Sequence, residues 1–395
     1  MPKPTEDTAP PTLAVWPLAV AQTLSWASIY YIFPALLPEW EQELGWSRAF
    51  LSSAFTGTLL VSASCALLIG LLIDRGHSKA LMVWSSLLGA FCLLGLSTAQ
   101  QPWQFAAWWL LLGVAQAGAL YEACFAVITR AIGARAKRAI TLVTLVGGFA
   151  GTLSFPTAHA LAATLGWRMT LVCFAGFMII SAIITAFALA RVGSEPAHAP
   201  GTGTERGTLA RQMQRPMFWL LALAAIMMSL NHATILTHLL PILADRGLAG
   251  NTAILAASMI GPMQITGRLA MMAAGERSSS MAVSIASFVA MALASLALLG
   301  TAMQFELVVV FVLLQGAGHG VTSITRPVII GECFGHRNYG AIAGALAFPL
   351  TTAAALAPTL GAMVWSLGGY DLVLAFTFCA ALIGCVSMLL IRRIS

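Results

Sequence analysis

Three charged side chains stand out inside long apolar runs of this sequence: Glu122 in QAGALYEACFAVITR, Arg268 in GPMQITGRLAMM and Arg326 in GHGVTSITRPVII. Charge in such a setting is costly, so it normally faces protein or a wet cavity. A guanidinium stays charged and offers five donors in a planar fork, which suits a carboxylate held side-on. Gln264 lies one helical turn before Arg268 and shares its face. Arg268 and Gln264 are therefore candidate ligands for an organic anion. The alternative is an arginine held by helix carbonyls or a protein carboxylate. Glu122 is eight residues before Arg130, and Arg268 is eight before Glu276. The two charges thus sit at one depth from their helix ends, and Glu122 is the candidate proton carrier. The alternative for it is a fixed ion pair with an arginine.

Other polar groups gather in the same kind of run. His319, Thr322, Ser323 and Arg326 are spaced by three, four and seven, which puts them on one helical face. Arg326 suits either a second anion clamp or a gate. Gly316, Gly318 and Gly320 thin the same helix, as where a helix lines a cavity or packs closely. Asn231, His232, Thr237 and His238 fall in one run, and Ser25, Trp26, Tyr30 and Tyr31 in another. Histidine can titrate near neutral pH, although a lone one in an apolar run also serves as a neutral hydrogen-bond partner. Tyr30 and Tyr31 suit a cavity wall or an interfacial aromatic belt. His159 has no assigned role.

The elements that position these groups follow from composition. Of 395 residues, 59% are hydrophobic and 9% charged, and mean hydropathy is +0.87. A membrane span needs about 20 apolar helical residues. Twelve such runs occur, at roughly 14–36, 47–72, 78–98, 104–131, 138–165, 168–191, 216–242, 251–275, 279–301, 304–331, 338–366 and 370–391. Strand alternation is nearly absent, and open sheet edges do not survive in lipid, so the spans are helices. The expected fold is an all-α membrane protein.

The first residues, MPKPTEDTAPPT, are polar and lack the basic region of a signal peptide; residues 1–13 form a tail. The net charge of +6 does not mark nucleic acid, because it is distributed by loop. Lys3, Arg75, Lys79, Arg130, Arg135, Lys137, Arg138, Arg191, Arg206, Arg211, Arg215, Arg277, Arg337, Arg392 and Arg393 fall on one side, and only Arg48, Arg168 and Arg246 on the other. The positive-inside rule then puts both termini in the cytoplasm, and the expected location is the cell inner membrane. Seven scattered cysteines form no CxxC pair, so no metal site is expected.

The segment GSEPAHAPGTGTERGT, 193–208, has no apolar period and belongs to a linker spanning 192–215. It divides two six-helix bundles, 14–191 and 216–391, with a short tail at 392–395. A shift of about 202 residues relates them. It places Leu37-Pro38 on Leu240-Pro241, Asp74-Arg75 on Glu276-Arg277, Pro156-Thr157 on Pro358-Thr359, and Leu165-Gly166 on Leu367-Gly368. A parallel repeat of this kind is a transporter signature. The same shift puts Arg130 and Glu332 at equivalent helix ends, where they could form a gate; solvated loop charges are the plainer alternative.

The sequence resembles the major facilitator superfamily along nearly its whole length. The loop Gly70-Leu-Leu-Ile-Asp74-Arg75-Gly76-His77-Ser78-Lys79 is similar to that family's marker between its second and third helices, with the second glycine one position early and the basic pair reduced to Lys79. Gly45-Trp46-Ser47-Arg48-Ala49, Tyr121, Gly166-Trp167-Arg168 and His238-Leu-Leu-Pro241 resemble the monocarboxylate-porter branch and its oxalate/formate-antiporter-like relatives. That branch has Asp and Arg four apart in helix eight; here they are Gln264 and Arg268. The resemblance implies twelve helices in two pseudo-symmetric bundles that rock in alternating access. It also implies that Arg268 binds carboxylate and that the first, seventh and tenth helices line the cavity. Asp74 and Arg75 suit gating, with packing the alternative for Asp74. With the usual Asp absent, proton coupling passes to Glu122.

No phosphate-binding loop, HExxH or nucleophile elbow occurs, so neither an enzyme nor a cofactor is expected. The expected function is secondary-active transport of a small organic anion, a monocarboxylate, with a proton as the coupling ion. Efflux of drugs or other amphiphiles is the alternative.

Overall fold

The computed structural model describes residues 12–133, 136–191, 205–248, 251–274, 279–335 and 339–394. The tail before Thr12, Arg135, the first part of the linker, and the loops holding Glu276, Arg277 and Arg337 lie outside these. The described chain is nearly all helix. Its elements are α1 (Thr12–Trp26), a π-helical turn (Ala27–Tyr31), α2 (Ile32–Leu44), α3 (Arg48–Asp74), α4 (Ser78–Ser97), α5 (Pro102–Ala119), α6 (Tyr121–Ile132), α7 (Ala136–Gly147), α8 (Ala150–Arg191), α9 (Glu205–Met213), α10 (Pro216–Asp245), α11 (Asn251–Ala274), α12 (Ser280–Gly300), α13 (Leu307–Phe334) and α14 (Tyr339–Ile394). Among the described residues nine helical stretches are long and apolar enough to cross a membrane.

Two of the long helices, α8 and α14, are broken at glycine. Gly166 interrupts α8 at φ 75°, and Gly368 with Gly369 (φ 70°) interrupts α14. A positive φ is open to glycine without Cβ strain. Both breaks fall where the sequence ends one span and begins the next. Within the segment read as a linker, residues 205–213 form helix α9. Past Gly207 this stretch, Thr208-Leu-Ala-Arg-Gln-Met213, lacks Gly and Pro, and its Leu, Ala, Arg, Gln and Met are good helix formers.

The chain separates into two compact units, 1–58 with 72–200, and 59–71 with 201–395. The first unit is built on aromatic residues. Trp40, Trp109, Phe105 and Trp167 are almost fully buried, and Trp40 meets Trp109, Phe105 and Trp167 edge-on at 6.0, 5.1 and 6.3 Å. Such tilted pairs are the favoured geometry of rings. At the ends of these helices Arg48 forms a bidentate pair with Glu41 at 2.8 and 2.7 Å. Arg168 reaches Glu43 at 2.6 Å and covers the ring of Trp167 at 4.2 Å.

The second unit is packed more by aliphatic and small residues. Ile235, Leu239, Ile242, Ile260, Leu298 and Phe311 make its main core. Gly70 and Gly344 leave no room for a Cβ, because the carbonyls of Gly340 and Ala66 stand there. Arg246 pairs with Asp371.

Candidate functional site

In the first unit the candidate residues lie beside a broken helix. Leu120 is extended (φ −93°, ψ −168°) and separates α5 from α6. Glu122 therefore occupies the first turn of α6, where a negative charge is favoured by the helix dipole. It is half-buried. Gln22 of α1 donates Nε2 to the Ala119 carbonyl at 2.8 Å, beside the break.

The π-turn at Ala27–Tyr31 lies in the same unit. An extra residue in a helical turn displaces carbonyls from their usual partners, and such turns are frequent at functional sites. Gln116 donates to the Ile29 carbonyl at 2.6 Å, and Ser154 to that of Ala27 at 2.9 Å. The turn presents an aromatic group: Trp26 lies 4.9 Å from Tyr30 and 4.8 Å from Tyr121, and Tyr30 lies 5.3 Å from Tyr31. The buried indole Nε1 of Trp26 has no hydrogen-bond partner among the described residues. The expected residues Tyr30 and Tyr31 are thus joined by Trp26 and Tyr121, next in sequence to Glu122.

In the second unit, His232 on α10 and His319 on α13 stack face to face, ring centroids 3.4 Å apart and 3° from parallel. Gln315 donates Nε2 to Asn231 Oδ1 at 3.1 Å and faces His232 Nδ1 at 3.3 Å. Asn231 donates to the Thr377 carbonyl at 2.9 Å and to Ser295 Oγ at 3.3 Å. The buried Gln315 Oε1 and His319 Nδ1 have no partner in the described residues. Gln315 was not expected from the sequence, yet it lies one turn before His319, a spacing that shares a face.

Arg268 is half-buried and donates Nε to the Gly320 carbonyl at 3.0 Å, one residue past His319. That bond fixes the plane of the fork. The backbones of α11 and α13 come close here: a Cβ on Gly320 would strike the Gln264 backbone, one on Gly267 would strike Ala317, and one on Gly316 would strike Met263. The space beside Gly267 is thus filled by α13. Gly261 by contrast has nothing within 4 Å. The α13 glycines act here by close helix packing.

Arg326 turns to a different place. It lines a cavity of about 20 Å³ with Ser284, Phe288, Thr322, Thr325 and Met228. The expected gate residues have the following contacts within their own units. Arg130 donates Nη1 to the Ile73 carbonyl at 2.6 Å, next to Asp74 and Arg75 at the end of α3. Glu332 accepts from Ser280 at 3.0 Å. His238 bonds the Pro358 carbonyl at 3.1 Å. Among the described residues no group of three or more His, Cys, Asp or Glu could hold a metal ion.

Comparison with known proteins agrees with this architecture. The profile of the Major Facilitator Superfamily matches residues 18–282. No curated protein matches in sequence. Among solved structures, a bacterial homologue of the iron transporter ferroportin superposes with a TM-score of 0.76 at 14% identity, covering 96% of this chain and 99% of that one. The human organic anion transporter MFSD10 (TETRAN) gives 0.74 at 15% identity, over 96% and 100%. The E. coli fucose:proton symporter FucP gives 0.73 at 15% identity, over 95% and 97%. At these identities the likeness is one of fold.

Proposed function

This chain belongs to the Major Facilitator Superfamily, a family of transporters, and we propose that it carries a small organic anion, a monocarboxylate, by alternating access with a proton as the coupling ion. One observation carries the reading: Arg268 sits half-buried in an apolar helix, its fork oriented by the Gly320 carbonyl. A guanidinium held in a fixed plane is prepared for a carboxylate at little entropic cost. Gln264 precedes it by one turn, and the His232–His319 stack with Gln315 and Asn231 continues a polar stripe in the same unit.

Glu122 is the group assigned to the proton. It stands at the start of α6, in a segment where ionisable groups are rare. The chain is a multi-pass membrane protein, and the inner membrane with both termini in the cytoplasm is the placement the loop charges favour. The Trp26, Tyr30, Tyr31 and Tyr121 cluster favours one second reading, in which the substrate is an aromatic or amphiphilic compound moved outward.

The test is uptake of labelled monocarboxylates into proteoliposomes under an imposed proton gradient. Gradient-dependent uptake that Arg268→Ala removes supports the anion reading. Uptake of amphiphilic cations alone, unaffected by that change, contradicts it.

A further inference from the structure

A groove on the second unit has no part in the site above. It measures about 380 Å³ and is lined by Met213 at the end of α9, Phe218, Trp219, Leu223 and Ile226 on α10, and Phe348 on α14. That volume is in the range of small-ligand sites. We propose that it binds an anionic phospholipid, one acyl chain lying in the groove and the phosphate held by Arg211 and Arg215.

Three observations fit that ligand. The first is depth. The span begins at Pro216, and the lining runs along α10 to Ile226. Ten residues of helix rise about 15 Å, which is half of a hydrocarbon core about 30 Å thick. The groove therefore matches one leaflet, the length an acyl chain occupies.

The second is charge. Arg211 and Arg215 are exposed and lie within a few residues of Met213 and Trp219 at the polar end of the groove. Arg215 is further oriented by a 3.1 Å bond to Gln212. Arginines at a helix start on the membrane boundary attract anionic headgroups.

The third is construction. Trp219 donates its indole N–H to the Met213 carbonyl at 2.8 Å, which ties the end of α9 to the first turn of α10. Its ring stays 58% exposed. An indole with one end bonded and its face open is the arrangement tryptophan adopts at lipid interfaces. The α9 helix is thereby held as the polar rim of an apolar slot.

The experiment uses full-length protein, delipidated in detergent and titrated with phosphatidylglycerol or phosphatidylcholine of the same chains, read by melting temperature. Phosphatidylglycerol is expected to stabilise at lower concentration than phosphatidylcholine. The double change Arg211→Gln with Arg215→Gln should weaken that preference by roughly fivefold per arginine removed, leaving the phosphatidylcholine response in place. Leu223→Trp, which fills the groove from an exposed position, should reduce the response to both lipids. Native mass spectrometry of the same variants counts retained lipid independently of stability. Equal response to the two lipids, or a phosphatidylglycerol preference that survives the double change, would overturn the proposal. So would full lipid retention in Leu223→Trp, because the chain must then lie elsewhere.

Discussion

The imidazole of His319 lies flat on that of His232, 3.4 Å between centroids and 3° between planes. The stack joins α10 to α13, and its orientation depends on Gln315, whose one amide nitrogen serves both Asn231 Oδ1 and His232 Nδ1. Gln315→Leu leaves the buried Asn231 Oδ1 and the part-buried His232 Nδ1 without their donor. An unsatisfied buried group costs about 1–3 kcal/mol, so thermal unfolding of this variant should begin at clearly lower temperature than wild type. His319→Phe keeps a flat ring on His232 and should cost less than His319→Ala, by about the 0.5–1.5 kcal/mol of a ring pair. Equal loss in the two would show that the stacking contributes nothing.

The close approach of α11 and α13 separates two glycines that look alike in sequence. Gly320→Ala drives a Cβ into the Gln264 backbone, whereas Gly261→Ala meets nothing within 4 Å. Overpacking against backbone costs about 1–3 kcal/mol. Alanine in an open helical position gains up to about 1 kcal/mol over glycine. Melting curves should therefore move in opposite directions. Similar shifts would mean that the helices do not pack through these glycines.

Arg168 and Glu43 are 125 residues apart in sequence and paired in the first unit, and Arg246 and Asp371 have the same separation with the charges reversed in the second. Both Arg168 and Glu43 are about half exposed, so Glu43→Gln should cost no more than about 1 kcal/mol. Arg168→Ala should cost more, since it also uncovers Trp167. The comparison of the two melting temperatures checks the order.

Glu122→Gln keeps the size of the side chain and removes its proton chemistry. The expectation is loss of gradient-driven accumulation with exchange of internal for external substrate retained, measured in the same proteoliposomes. Loss of both in a folded protein would assign Glu122 to substrate binding instead.

Much of this architecture is legible in the sequence. Apolar runs mark the helices, and the breaks at Gly166 and Gly369 carry their own signal in a residue that tolerates positive φ. The break at Leu120 carries none. Leucine is a good helix former, and the interruption is accompanied by the distant Gln22 amide on the Ala119 carbonyl. The π-turn at Ala27–Tyr31 is similar, since its carbonyls are satisfied by Gln116 and Ser154 from other helices. Uncharged amides such as Gln116 and Gln315 do not stand out as charges do, so the sequence points to Arg268 and Glu122 but not to the groups that orient their surroundings. Arg326 shares a helical face with His319 by spacing, yet the two side chains meet different neighbours, which depends on packing alone.

The most direct test of the central claim is the thermal shift of purified protein against a panel of small monocarboxylates and organic cations, with Arg268→Ala and Arg268→Lys in parallel. The account predicts stabilisation by carboxylates in the wild type, none in Arg268→Ala, and a reduced shift in Arg268→Lys, whose ammonium keeps the charge without the fork. Carboxylate shifts unchanged in Arg268→Ala, or shifts from the cations alone, would contradict it and leave Arg268 as a strut between α11 and α13.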